Sequence, residues 1–189
     1  MFLKFKSKKK KKKKKKEKPV AQTLINFPSE RFEANGDVLT LRLATVSDIP
    51  GLVAIQEAVY NGYAPWVARD FYHELTQEED RLYLVAVKRD QVIGFIALVR
   101  REQVPDLHIA NLAVLPVWQG RQVGSYMINT AKAVAWEIGL PMLSLEARRS
   151  NTGALALYDR LGFRVQDVIE KYYVDNKEDA ISMVQDLEA

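Results

Sequence analysis

The sequence contains no cysteine. That excludes disulfides, thiolate nucleophiles and cysteine-ligated zinc, and it leaves no mark of an oxidising compartment. No apolar run approaches the ~18 residues of a membrane span, so no membrane insertion is expected. The opening MFLKF is shorter than the apolar region of ~7 to 15 residues in a signal peptide, and a cytoplasmic location fits best. Histidine is scarce: His73 and His108 are the only two. Neither is spaced from the other or from carboxylates as metal ligands are, so both read as structural and no metal is expected. No glycine-rich run is followed by Gly-Lys-Ser/Thr, which removes a Walker-type phosphate loop.

What is present is one domain's worth of core, with 189 residues of which 48% are hydrophobic. The net charge of +4 conceals a division. Residues 1–18 hold twelve lysines against Glu17, or +11, which leaves +4 − 11 = −7 for residues 19–189. The stretch 1–22 cannot bury apolar surface and repels itself, so it reads as a disordered poly-Lys tail. It is either a solvated extension or a weak contact for the ribosome, RNA or another polyanion.

From Val38 the chain alternates between strand and helix periods. VLTLRL is a half-buried strand, and TVSDIPGLVAIQEAVYNG is a capped helix ended by Gly62. A short helix follows APW. LYLVAV and QVIGFIALV form a hairpin, and LHIANLAVLP is a further strand ended by Pro116. A long helix then runs to about Ile138, with Met127, Ala131, Val134 and Ala135 on its apolar stripe. MLSLEA, a helix from Asn151 to Gly162, and two strands around VDNKE complete the order. This predicts a single α/β domain over 38–189, a mixed sheet of about seven strands with about four helices.

Few places can carry chemistry. The loop QGRQVG, Gln119 to Gly124, joins a strand to the long helix, where unpaired amides and the helix dipole favour phosphate. Taken alone it is more often a structural turn. Glu146 points away from Leu143 and Leu145, either into solvent or toward Arg148. Tyr158 sits seven residues after Asn151, on nearly the same helical face, and by itself would be a core tyrosine.

In combination, LHIANLAVLPVWQGRQVGSYMI, LSLEARRSNTGALALYDRLGF and EKYYVDNKEDAISMVQDL resemble the GNAT acyltransferases, specifically the RimI-type ribosomal-protein-alanine N-acetyltransferases. The likeness spans about Leu39 to Leu187 and includes NGYAPWVARDFYHEL, similar to the family's substrate loop. It implies acetyl-CoA as cosubstrate and the N-terminus of a small-subunit ribosomal protein as partner. Glu146 would be the base for the α-ammonium, its pKa modestly raised, and Tyr158 the acid for the departing thiolate. A backbone amide near Val114, where the strand bulges and splays, would hold the thioester oxygen. Leu112 and Ala113 would flank it. Gln119, Gly120, Arg121, Gln122, Val123, Gly124 and Ser125 would wrap the pyrophosphate, and Asn151 would meet the pantetheine arm. Trp66, Tyr172 and Tyr173 would wall the peptide mouth, with Glu74 and Asp106 as candidate carboxylates there. Gln122 departs from the family pattern, which has glycine at that place; if the position needs positive φ, glutamine should weaken cofactor binding. Two other readings remain: a GNAT enzyme acting on lysine side chains or small amines, and a non-catalytic acetyl-CoA-binding, ribosome-associated module.

Overall fold

A computed structural model describes residues 27–60, 62, 64–76 and 80–187; the lysine-rich tail lies outside the described residues. The chain forms β1 (Glu30–Ala34), β2 (Asp37–Leu43), α1 (Ile49–Val59), α2 (Ala68–Thr76), β3 (Arg81–Lys88), β4 (Gln91–Arg100), β5 (Asp106–Val114), α3 (Val123–Glu137), β6 (Met142–Arg148), α4 (Thr152–Arg160), β7 (Arg164–Ile169) and β8 (Ala180–Asp186). The sheet has eight strands, in the order β1-β2-β3-β4-β5-β6-β8-β7. Every neighbouring pair is antiparallel except β5 and β6.

Two expectations are corrected here. The sheet has eight strands rather than about seven, and the domain begins before Val38, because Glu30–Ala34 pairs with β2 through a two-residue turn. Asn35 and Gly36 both have positive φ, 51° and 85°, as a tight hairpin twisted to match its strands demands. β1 is anchored by Phe32, whose ring stacks on Tyr126 of α3 at 3.9 Å. At the other end, β7 stops at Ile169, so Tyr172 and Tyr173 lie in the turn to β8 rather than in the strand. β8 inserts between β6 and β7, with Glu146 opposite Ser182.

Alternation along the strands divides the core into two layers. Leu82, Leu84 and Ala86 of β3 join Leu143 and Leu145 of β6 beneath α3, whose buried residues Val123, Met127, Ile128, Ala131, Val134 and Ala135 follow the helical period. Tyr83, Val85 and Val87 turn the other way and pack with Ile49, Leu52, Ile55 and Phe71 of α1 and α2. α3 ends at Gly139, where φ is 78° and Leu140 N–H bonds the Ala135 carbonyl. α4 starts at Asn151, whose side-chain oxygen accepts from Ala154 N–H at 3.2 Å. Among the described residues, no helix is long and apolar enough to cross a membrane.

Candidate active site

The site begins where two strands part. β5 pairs with β6 only from Asp106–Met142 to Ile109–Leu145. Ala110 is an extra residue in β5, since Ile109 faces Leu98 and Asn111 faces the adjacent Ala97. Before this bulge Leu107 and Ile109 face α3; after it Leu112 and Val114 do. The ladder phase then decides where the amides point. Leu115 N–H bonds Ile93 O at 2.9 Å, so the alternate residues Val114 and Leu112 direct their backbone groups away from β4, toward the gap left by β6. The Val114 carbonyl there accepts from Gln119 Nε2 at 3.0 Å, which pins the following loop to the strand end.

That gap opens into a cavity of about 410 Å³. It is lined by all the expected cofactor residues except Arg121: Leu112, Ala113, Val114, Gln119, Gly120, Gln122, Val123, Gly124, Ser125 and Asn151. Gln122 is the N-cap of α3 but makes no side-chain cap, and the first amide bonded into the helix is that of Tyr126. The amides of Val123, Gly124 and Ser125 are left to face the cavity these residues line, at the positive end of the dipole. Gly120 has φ 69° with open space where a Cβ would stand. Gln122 has φ 66°, the left-handed conformation in which glutamine is strained. Arg121 instead lies against the Trp118 ring at 5.2 Å and near Asp37 at 3.9 Å. Asn151 spends its oxygen on the helix cap, so only its amide nitrogen remains for a ligand.

Tyr158 also lines the cavity. It is 8% exposed and packs against Phe163 with ring centroids 5.8 Å apart. Burial pushes its pKa up to about 12, with smaller contributions from Tyr173 and Tyr60 nearby. The phenol is therefore protonated across the neutral range.

Glu146 lies on the other face of β6 and is wired differently. Its Oε2 is 3.2 Å from His108 Nε2, and both side chains are mostly buried, at 16% and 15% exposure. His108 Nδ1 is 2.8 Å from Ser144 Oγ, Arg101 Nη2 donates to the same hydroxyl at 3.0 Å, and Ser144 in turn donates to Asp106. Arg101 grips Asp106 through Nε at 3.1 Å and through Nη2. The hydrogen bond from His108 holds the Glu146 carboxyl below its ordinary range, against the upward push of burial. The expected modest rise is thus corrected: a specific partner outweighs desolvation.

His108, read from sequence as structural, is the direct neighbour of the candidate base. The signal lay in its alternation with Leu107 and Ile109, which matches that of Glu146 with Leu145 and Ala147; the parallel register His108–Ser144 brings the two together. Asp106 is fully buried beneath this network and is not a carboxylate of the mouth. Glu74 is likewise occupied, accepting from Arg81 and from the Tyr83 hydroxyl at 3.2 Å. Trp66 packs on Phe71, 5.6 Å between centroids, and does not line the cavity. Tyr172 and Tyr173 form an edge-to-face pair at 5.1 Å. Arg148, an expected partner for Glu146, instead lies over the Tyr173 ring at 3.9 Å and pairs with Asp175 and Glu178. Tyr173 interacts electrostatically with both Glu146 and Tyr158.

Comparison with known proteins agrees with this geometry. Residues 52–163 match the Acetyltransferase (GNAT) family. A Bacillus subtilis protein provisionally named a ribosomal protein bS18-alanine N-acetyltransferase is 31% identical over 76% of this chain and 92% of its own. An N-alpha-acetyltransferase of Saccharolobus solfataricus is 28% identical over 80% of this chain and 95% of its own. Among solved structures, the ribosomal-protein-S18-alanine N-acetyltransferase from Escherichia coli superposes with a TM-score of 0.69 at 26% identity, covering 80% of this chain and 95% of that one.

Proposed function

Because this chain belongs to the GNAT family of acetyltransferases, we propose that it transfers an acetyl group from acetyl-CoA to the N-terminal α-amine of a protein, specifically the N-terminal alanine of a small-subunit ribosomal protein. The observation that carries the reading is the parting of β5 from β6 with a protonated phenol on one face and an ionised carboxylate on the other. Acyl transfer to an amine needs a proton removed on one side and a proton supplied on the other. The names of the relatives support the acceptor.

The residues fit a phosphate-bearing thioester. Acetyl-CoA supplies the activated acetyl group when bound. The uncapped amides of Val123, Gly124 and Ser125 take its pyrophosphate, and Gly120 leaves room for close approach. Leu112 and Val114 turn backbone N–H groups into the gap, where the Val114 amide polarises the carbonyl oxygen. Glu146 removes a proton from the α-ammonium, whose unperturbed pKa of about 7.7 to 8.0 leaves it mostly charged at neutrality. Tyr158 gives its hydroxyl proton to the leaving sulfur. The amine attacks directly, with no covalent enzyme intermediate, and the second proton it sheds as the amide forms restores the Tyr158 hydroxyl. Tyr172 and Tyr173 wall the acceptor's approach, and the acidic balance of residues 19–189 favours a basic peptide.

Intact-mass comparison of ribosomal proteins from cells with and without the gene tests this. Loss of one acetyl group from one small-subunit protein is expected; identical masses throughout contradict the acceptor.

A further inference from the structure

Among the described residues lining the cavity between β5, α3 and α4, Arg160 is the one charged side chain. The loop side has two cations close by, but both are engaged. Lys88 bonds Asp37 at 2.6 Å, Arg121 lies 3.9 Å from the same carboxylate, and both stand against the Trp118 ring. Arg160, exposed in the last turn of α4, forms no ion pair with any described residue. A cation at that end of a helix ordinarily serves the terminal carbonyls. In α4 this is done by Lys132, whose Nζ donates to the Leu161 carbonyl at 2.7 Å. Helical geometry then says which end of a bound ligand Arg160 meets. Successive residues turn by about 100°, so Arg160 projects about 200° from Tyr158 but only about 60° from Leu157. Leu157 faces the phosphate loop, its Cδ2 lying 3.5 Å from where a Cβ on Gly124 would stand. Arg160 thus stands on the loop side of α4, away from the phenol assigned to the sulfur.

We propose that Arg160 pairs with the 3′-phosphate of acetyl-CoA and so sets a preference for coenzyme A over its 3′-dephospho form. The inference rests on the acetyltransferase reading above. Acetyl-CoA bears two kinds of phosphate. Its pyrophosphate is a diester with one negative charge on each phosphorus, and the neutral amides of Val123, Gly124 and Ser125 suit it. Its 3′-phosphate is a monoester, which with a second pKa near 6 carries about −1.5 to −2 at neutrality. Amides alone leave that second charge without a counterion. A guanidinium meets it with two parallel N–H donors, where an ammonium would supply only a point charge. Arg160 acts on binding alone, and no bond in the reaction is made or broken through it.

The test is calorimetric binding of coenzyme A and of 3′-dephospho-coenzyme A, with no acceptor present, to the full chain and to Arg160→Gln. The parent should bind coenzyme A about tenfold more tightly than the dephospho form, and Arg160→Gln should erase that ratio by weakening coenzyme A alone. Arg160→Lys should keep part of the ratio, since it holds the charge without the fork. Equal weakening of both ligands in Arg160→Gln overturns the proposal, because the cation would then serve the pyrophosphate. Unchanged binding of both overturns it too, as does a ratio that moves in Arg121→Gln instead. If Arg160→Gln does not fold, Arg160→Lys decides, and an unchanged ratio there overturns the proposal. The two levels separate in the parent chain. Binding of both ligands without preference sinks this inference alone, whereas binding of neither sinks the acetyltransferase reading as well.

Discussion

Tyr158 and Glu146 lie on opposite faces of one sheet and are kept in opposite protonation states, the first by an apolar surround that pushes its pKa up to about 12, the second by a hydrogen-bonded partner that holds its pKa down. The Tyr158 face is mostly apolar, with Phe163, Leu157 and the buried residues of α3 in one cluster with it. The Glu146 face is a chain of polar contacts, each member fixed by the next. An acid needs only to be denied its ionised form, and burial alone does that. A base inside a fold must be both ionised and aimed, and that takes partners.

The largest way to break the comparison is to remove either end. Glu146→Gln and Tyr158→Phe should each lower kcat by ~10² to 10⁴-fold, with acetyl-CoA affinity little changed in Tyr158→Phe, as steady-state kinetics and calorimetry would report. The two should differ in stability: Tyr158→Phe leaves a packed apolar site, and Glu146→Gln removes the anion that His108 faces. No alkaline loss of rate from the phenol is expected until pH approaches about 12.

Next in size is the anchor of the polar face. Asp106 is fully buried, and Asp106→Asn removes the charge that faces Arg101 and puts an amide NH2, a donor, where one of the two acceptor oxygens of Arg101 and Ser144 stood. A loss of about 2 to 3 kcal/mol in denaturant unfolding is expected, the lower end for a broken buried pair because Arg101 keeps part of its surface in water. Activity should fall with it, since His108 loses its fixed orientation. A substitution in the apolar core on the other face, the buried Ile128→Val, should cost stability without changing the pH profile.

A smaller effect sharpens the contrast at low pH. Because the folded state holds the Glu146 pKa below its ordinary value, the His108 bond stabilises the fold above the ordinary carboxylate range, and that stabilisation is lost as pH falls through the lower, folded value. His108→Ala should therefore move the acid-unfolding midpoint upward in pH. An unchanged midpoint would mean that the bond contributes nothing to the native state.

The smallest expected effect is at Gln122. Its left-handed backbone costs ~1 to 2 kcal/mol for a residue with a Cβ, partly offset in Gly by the ~0.5 to 1 kcal/mol of extra chain entropy. Gln122→Gly should raise stability by under about 1 kcal/mol, tighten acetyl-CoA a few-fold and leave kcat unchanged, the pattern of uniform binding. Weaker binding would show that the glutamine side chain itself makes a contact.

How far these features were legible depends on the range over which each was determined. The helices were legible because their apolar stripes and caps are local: Asn151 caps, Gly139 stops, and Met127 to Ala135 repeat at the helical period. β1 was overlooked although Phe32 and Ala34 alternate inward and Asn35–Gly36 is a strong hairpin turn, because the strand is five residues long and borders a lysine-rich stretch that dominates the composition. The insertion of β8 between β6 and β7 left no trace in either strand's pattern. In the site, the loop, Glu146 and Tyr158 each read as structural when taken alone, and they were picked out only by their resemblance to the family's motifs. The positive φ of Gln122 could not be recognised, because glutamine is not a left-handed signal. The His108–Glu146 contact depends on a parallel register across residues far apart in sequence, and so does the direction of the Glu146 shift.

The central claim is that this site acetylates an α-amine using a carboxylate on one face and a phenol on the other. The most direct measurement is intact-mass analysis of two basic peptides after incubation with the protein and acetyl-CoA: one beginning with a free alanine, the other blocked at its N-terminus and carrying internal lysines. The account predicts one acetyl group on the first, none on the second, and near-complete loss of the first reaction in Glu146→Gln. Acetylation of the blocked peptide, or of neither, would contradict it.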